Sequence, residues 1–196
     1  MDAKGKMMNT QDNLIKMERY FPPLKQVEDK ELAEKVANVW FKLWKASRWE
    51  KIEDALWNPA LCPGVTLVSH TNSVTKAAWQ FSHIRSEIYK EKFNYDILLA
   101  GAILHDSGKI LEVEPDRNSG KTSTRGKLFQ HAMLGAHMAI NENVPDEVIH
   151  IITCHTGQSR LLPQTPEAIL IYALDLADAD INRLKANSPL LLEKLK

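Results

Sequence analysis

The chain has 196 residues, 44% of them hydrophobic and 26% charged, with 25 Lys and Arg balancing 25 Asp and Glu. That apolar share excludes a disordered chain, and the zero formal charge removes the general attraction behind non-specific binding to nucleic acid or anionic membranes. Cys62 and Cys154 are too few for a disulfide framework or a Cys-rich zinc site. The polar N-terminus has no signal-peptide core, and no apolar run is long enough to span a bilayer, so a cytoplasmic protein without membrane partners is expected.

Residues 1 to about 20 are Met-rich and suit a loose arm or short helix, ended by Tyr20-Phe21-Pro22-Pro23. Asp29 to Lys45 predicts an amphipathic helix striped by Leu32, Val36, Val39, Trp40, Leu43 and Trp44. Trp49 to Trp57 reads as a second short helix, and Asn58 to Gly64 as a loop. A long helix is expected from Leu67 to Lys90, with a stripe of His70, Val74, Ala77, Phe81, Ile84 and Ile88. The helix from Tyr95 to Leu104 is apolar nearly all round and therefore central; it runs into His105-Asp106, with Gly108 as a C-cap. Residues 112–127 are a loop by composition. Helices follow over 128–142 and from Pro145 to about His155. The last, capped by Thr165 with Pro166 at its first position, reaches Leu184. No strand alternation, βαβ rhythm, P-loop or repeat is found. The fold class is all-α: about five core helices over 65–184, an N-terminal helical extension over 1–64 and a tail over 185–196.

All seven histidines fall between positions 70 and 155. His105 and Asp106 abut the most apolar helix, where an unpaired charge is costly, so either the helix end is solvated or a cation is held there. His70 on an apolar stripe is either a satisfied core histidine or a ligand. His131 and His155 face apolar sides of their helices, and Asp175 is embedded in Ile169 to Leu174. Convergence of these helices on a divalent metal explains all of them at once. His83, His137 and His150 lie off the apolar faces and suit surface or supporting roles.

The order His70, Leu104-His105-Asp106-Ser107-Gly108-Lys109, His131, His155, Asp175 resembles the HD superfamily of metal-dependent phosphohydrolases. The resemblance implies one metal on His70, His105, Asp106 and Asp175. A second would use His131 and His155, with Asp106 bridging. Leu162 to Ala168, followed by Asp175-Leu176-Ala177-Asp178-Ala179, is similar to the HD part of bacterial 3′–5′ exoribonucleases.

Imidazole-rich ligation favours two divalent transition ions, Mn, Fe, Co or Zn, whose bound water would attack a phosphate mono- or diester. Asp106 and Lys109 are the expected catalytic residues, and Asp178 is expected to orient a ligand. Lys109, Arg117, Lys121 and Arg125 are candidates for gripping the substrate phosphate, the last three on a basic loop. The substrate is expected to be a nucleotide or small phosphorylated metabolite. Nucleic acid is less favoured because no OB-type strands or aromatic-basic pattern precedes the core. The alternatives are an exoribonuclease-like nuclease, a mixed-valent di-iron oxygenase and a non-catalytic regulatory HD domain.

Overall fold

The computed structural model describes residues 10–116, 119–157 and 159–195. Its centre is α4 (Tyr95–Leu104), whose residues Leu98 to Leu104 are fully buried, as an all-round apolar helix requires. Against it pack α2 (Lys30–Ala46), α3 (Leu67–Tyr89), α8 (Asp146–Cys154) and α9 (Pro166–Lys185), and α7 (His131–Asn141) packs on α2 and α8. α1 (Thr10–Tyr20) packs on α2. Among the described residues no helix is long and apolar enough to cross a membrane.

Side-chain caps set the helix starts. Asp29, Thr66, Asn94 and Thr165 each accept the backbone N–H three residues on, from Leu32, Ser69, Ile97 and Ala168. The N-terminal part shares the central core rather than standing apart from it. Phe21 stacks on Trp40 with centroids 4.4 Å apart, and Trp40 Nε1 donates to the Ile103 carbonyl at 3.0 Å.

Five expectations need correction. Residues read as loop or helix form two small antiparallel hairpins, β1 (Leu56–Asn58) with β2 (Cys62–Thr66) and β3 (Val113–Asp116) with β4 (Ser119–Thr122). They are too short, and too interrupted by Pro63 and Pro115, to show an alternating pattern. Trp49 to Trp57 is not a helix; it holds one 3₁₀ turn (Ile52–Asp54) and enters β1. On α3 the stripe is right only at its start: Phe81, Ile84 and Ile88 are exposed, and the helix buries Thr71, Thr75, Ala78 and Ser82 instead. These small side chains let α4 and α9 approach closely. The hydroxyls of Thr75 and Ser82 are satisfied by the Thr71 and Trp79 carbonyls.

Gly108 is likewise no left-handed cap; its φ is −68°. It opens α5 (Lys109–Glu112), and a Cβ there would lie 2.0 Å from the His131 carbonyl oxygen. Glycine is needed so that the turn after α4 can touch the start of α7. The expected helix over 128–142 is split for a related reason. α6 (Thr124–Leu128) ends at an extended Phe129, and α7 begins afresh at His131.

Candidate active site

Each of the six expected ligand residues sits where a helix begins, ends or crosses the centre. His70 is in the first turn of α3, His105 and Asp106 are in the tight turn after α4, and His131 is the first residue of α7. His155 follows α8 directly, and Asp175 is midway along α9. His70, His105, Asp106, His131 and His155 are all buried.

The six converge through Asp106. Its Oδ2 lies 3.3 Å from His70 Nε2 and 3.7 Å from His105 Nε2, while Oδ1 lies 3.3 Å from His131 Nε2 and 3.2 Å from His155 Nε2. Asp175 Oδ1 closes the first side, 3.0 Å from His70 Nε2. Two donor sets result, His70, His105, Asp106 and Asp175 in one and Asp106, His131 and His155 in the other. Within each, the donor atoms all lie within 4.8 Å of one another.

The far side of every ring is already committed. His105 Nδ1 donates to the Ala102 carbonyl at 2.7 Å and His155 Nδ1 to the Ile152 carbonyl at 2.8 Å, since a carbonyl only accepts. His70 Nδ1 donates to Asp178 at 2.7 Å and His131 Nδ1 to Glu112 at 2.7 Å. Neutral rings held this way present the Nε2 lone pair to the centre. Nε2 atoms therefore face one another at 3.3 Å in both His70–His105 and His131–His155. Asp175 Oδ1 is buried and meets no donor as long as the His70 ring, 3.0 Å away, is neutral. A buried knot of acceptors calls for a cation, so the donor set fits a metal.

The protonation tendencies agree. Burial alone would discharge His70, but hydrogen bonds to Asp106, Asp175 and Asp178 outweigh it and hold its pKa well above the ordinary value, so a proton there takes a cation's place. Burial likewise opposes charge on His155, and Asp106 raises it. Burial pushes His105 down to about 4, and burial with Lys109 lowers His131. Against burial, Lys109, His105 and hydrogen bonds to His155 and His70 keep Asp106 well below the carboxylate range.

Asp178, expected to orient a ligand, contacts His70 Nδ1 through one oxygen, and Ser73 donates to its other oxygen at 2.6 Å. Lys109 Nζ is 3.8 Å from Asp106 Oδ1 and lines a cavity of about 450 Å³. Lys121 and Arg125 do not line that cavity. The expected basic loop is folded into β3, β4 and α6, and the Lys121 amine lies by Glu114 and Asp116, 4.0 and 3.7 Å away. Arg117 lies outside the described residues.

Three residues escaped the sequence reading. Trp57, on β1, donates from Nε1 to Asp106 Oδ2 at 2.5 Å and stacks on His70 with centroids 4.2 Å apart. Glu112, which orients His131, lies at the start of the stretch that the composition suggests is loop. Arg183 lines the cavity from the end of α9. Only for Glu112 was there a usable signal, its place one turn beyond Lys109.

A family model of the HD domain matches residues 68–180, which contain all six converging residues. The chain belongs to the HD-domain family. This match, together with the similarity to a phosphodiesterase, makes the chain a hydrolase of the HD type, and its buried His/Asp cluster can hold divalent metal. The chain is 30% identical over 179 residues to the dihydroneopterin 2′,3′-cyclic phosphate phosphodiesterase of Methanocaldococcus jannaschii, covering 85% of this chain and 70% of that protein. It is 34% identical over 119 residues to the 3′-5′ exoribonuclease YhaM of Oceanobacillus iheyensis, covering 52% of this chain but 36% of the other. Ribonuclease Y of Thermotoga petrophila is 28% identical over 116 residues, 19% of its own length. No solved structure matches the chain.

Proposed function

We propose that this HD domain hydrolyses a phosphate mono- or diester of a nucleotide or small phosphorylated metabolite, with two divalent transition-metal ions as resident cofactors. The observation that carries this reading is the pair of donor sets that share Asp106, one on each carboxylate oxygen. His70, His105, Asp106 and Asp175 would hold one ion, and Asp106, His131 and His155 the other. Imidazole and carboxylate donors suit Mn, Fe, Co or Zn. Ions bound there supply a water acidic enough to attack at neutral pH and Lewis-acid pull on the phosphoryl oxygens.

The chain's own residues do the rest. Asp178, Glu112 and the Ala102 and Ile152 carbonyls fix the four rings with Nε2 inward. Trp57 fixes one oxygen of Asp106 and walls the site on the His70 side. Lys109, with Nζ over the Trp57 ring 5.6 Å from its centroid, presents a cation to a phosphoryl oxygen. A cavity of about 450 Å³ lies within the range of small-ligand sites. The relative named for cleaving dihydroneopterin 2′,3′-cyclic phosphate supports a small cyclic diester as substrate. The exoribonucleases support RNA less, because the chain covers about a third of their length. Cys62 and Cys154, buried and unpaired, accord with a cytoplasmic setting.

The test is a panel of nucleoside 2′,3′-cyclic phosphates, nucleotides, sugar phosphates and single-stranded RNA, offered to anaerobically purified, metal-loaded protein. Metal-dependent hydrolysis of a small ester is the expected result. Oxygen consumption with an organic substrate and no ester hydrolysis would establish the oxygenase instead, and processive RNA degradation the nuclease.

A further inference from the structure

Lys109 lies beside Asp106, whereas Arg183 lies eight residues beyond Asp175 on α9, about 12 Å along the helix, and the proposed function gives it no role. Arg183 is nine-tenths buried at the end of α9, and it lines the same cavity. Its Nη1 donates to the Pro189 carbonyl at 2.9 Å, and its Nε is buried without an acceptor. Among the described residues that carbonyl is the acceptor its guanidinium meets, and no carboxylate lies within ion-pair reach of it. Guanidinium stays charged at any physiological pH, so a nearly buried one without an anion is costly unless a ligand provides it.

The chain after α9 holds this cation in place. Asp180, one turn earlier and also buried, accepts the backbone N–H of Leu191 at 2.7 Å and of Leu192 at 2.9 Å. With the Arg183–Pro189 bond, these contacts strap residues 189–192 across the end of α9, and Leu191 becomes part of the cavity wall. Leu176, Ala179 and Leu191 line the same cavity as this guanidinium, which is held by one hydrogen bond and keeps Nε without an acceptor.

We propose that Arg183 binds a second oxyanion of the substrate, a phosphate or carboxylate remote from the ester that is cleaved. The substrate class is then a phosphate ester with an additional anionic group, gripped by Lys109 at the reacting end and by Arg183 at the other. This rests on the phosphohydrolase reading for what the first end does, but the anion site itself does not.

Two measurements on the full chain separate the two claims. The first is calorimetric titration of chelator-treated protein with inorganic phosphate and, separately, with malonate. Phosphate should bind about tenfold or more weakly to Arg183→Gln than to wild type, whereas Arg183→Lys, which keeps the charge and can still reach the Pro189 carbonyl, should recover much of the loss. Malonate affected more strongly than phosphate would assign the subsite to a carboxylate. Equal affinities of wild type and Arg183→Gln for both anions would overturn the proposal. The second compares metal-loaded turnover of adenosine 2′,3′-cyclic phosphate with and without a 5′-phosphate. A phosphate-binding Arg183 should make wild type favour the 5′-phosphorylated compound about tenfold or more in kcat/KM, and Arg183→Gln should bring that ratio near one. A ratio already near one in wild type contradicts a phosphate subsite. If wild type cleaves neither compound, nor any ester of the panel above, the phosphohydrolase reading fails, and the titration still decides Arg183.

Discussion

Asp106 is the residue on which the most depends, because each of its oxygens faces a different pair of rings. Asp106→Ala should bind no metal and retain below about 1% of turnover, with helical circular dichroism kept; metal analysis and activity assays check this. The supporting residues should act more gently. Trp57→Phe keeps a ring to stack on His70 but removes the donor to Asp106, and Asp178→Asn weakens the hold on His70. Each should lower metal affinity by about 10–100-fold in a competition titration. Acidity should matter through particular rings. On the proposed ligand set, metal would have to displace protons from His70 and His155, whose pKa values are raised, whereas His105 at about 4 and the lowered His131 are already neutral near pH 7. A group with a raised pKa keeps its proton until the pH climbs through that value. Affinity should therefore rise from pH 6.5 to 8, with proton release on binding measured in weakly buffered solution; a pH-independent affinity would contradict it. The ligand types were legible in the sequence because a buried His or Asp is anomalous among Ile and Leu. Trp57 was not, because a tryptophan in an apolar stretch is ordinary and only its distant contact with Asp106 distinguishes it.

At the scale of elements, close approach of the turn after α4 to α7 brings the two donor sets together. Gly108→Ala puts a methyl 2.0 Å from the His131 carbonyl oxygen, so the start of α7 must move. We expect about 1–3 kcal/mol of destabilisation in denaturant unfolding, together with weaker metal binding through the displaced His131. Helices with strong local signals were legible: α4 from its unbroken apolar run, and α9 from Thr165-Pro166 at its start. The buried face of α3 was not, because close packing there selects Thr, Ala and Ser over larger apolar residues. The hairpins were hidden because strands of three to five residues owe their pairing to backbone geometry rather than to side-chain pattern. Pairing of residues 113–116 with 119–122 as β3 and β4 also explains why Lys121 is occupied by Glu114 and Asp116 instead of facing the cavity.

Among the described residues one hydrophobic core carries the helices that present the donor sets, so bound metal should stabilise all of it. Ligand at about 100 times its Kd adds about 2.7 kcal/mol, which for a chain of this size is about 5–10 °C in Tm; calorimetry of loaded and chelator-treated protein measures it. An all-α chain with a central apolar helix was legible from periodicity, but the enclosure of the cavity by β1, α9 and the final strap arises from contacts between segments distant in sequence. The most direct test of the central claim is hydrolysis of a nucleoside 2′,3′-cyclic phosphate by metal-loaded wild type and Asp106→Ala, with metal content determined on the same samples. The account predicts two ions per wild-type chain, turnover that disappears with chelator and returns with Mn, Fe, Co or Zn, and neither metal nor turnover in the variant. Undiminished hydrolysis by Asp106→Ala, or by chelated wild type, would contradict it.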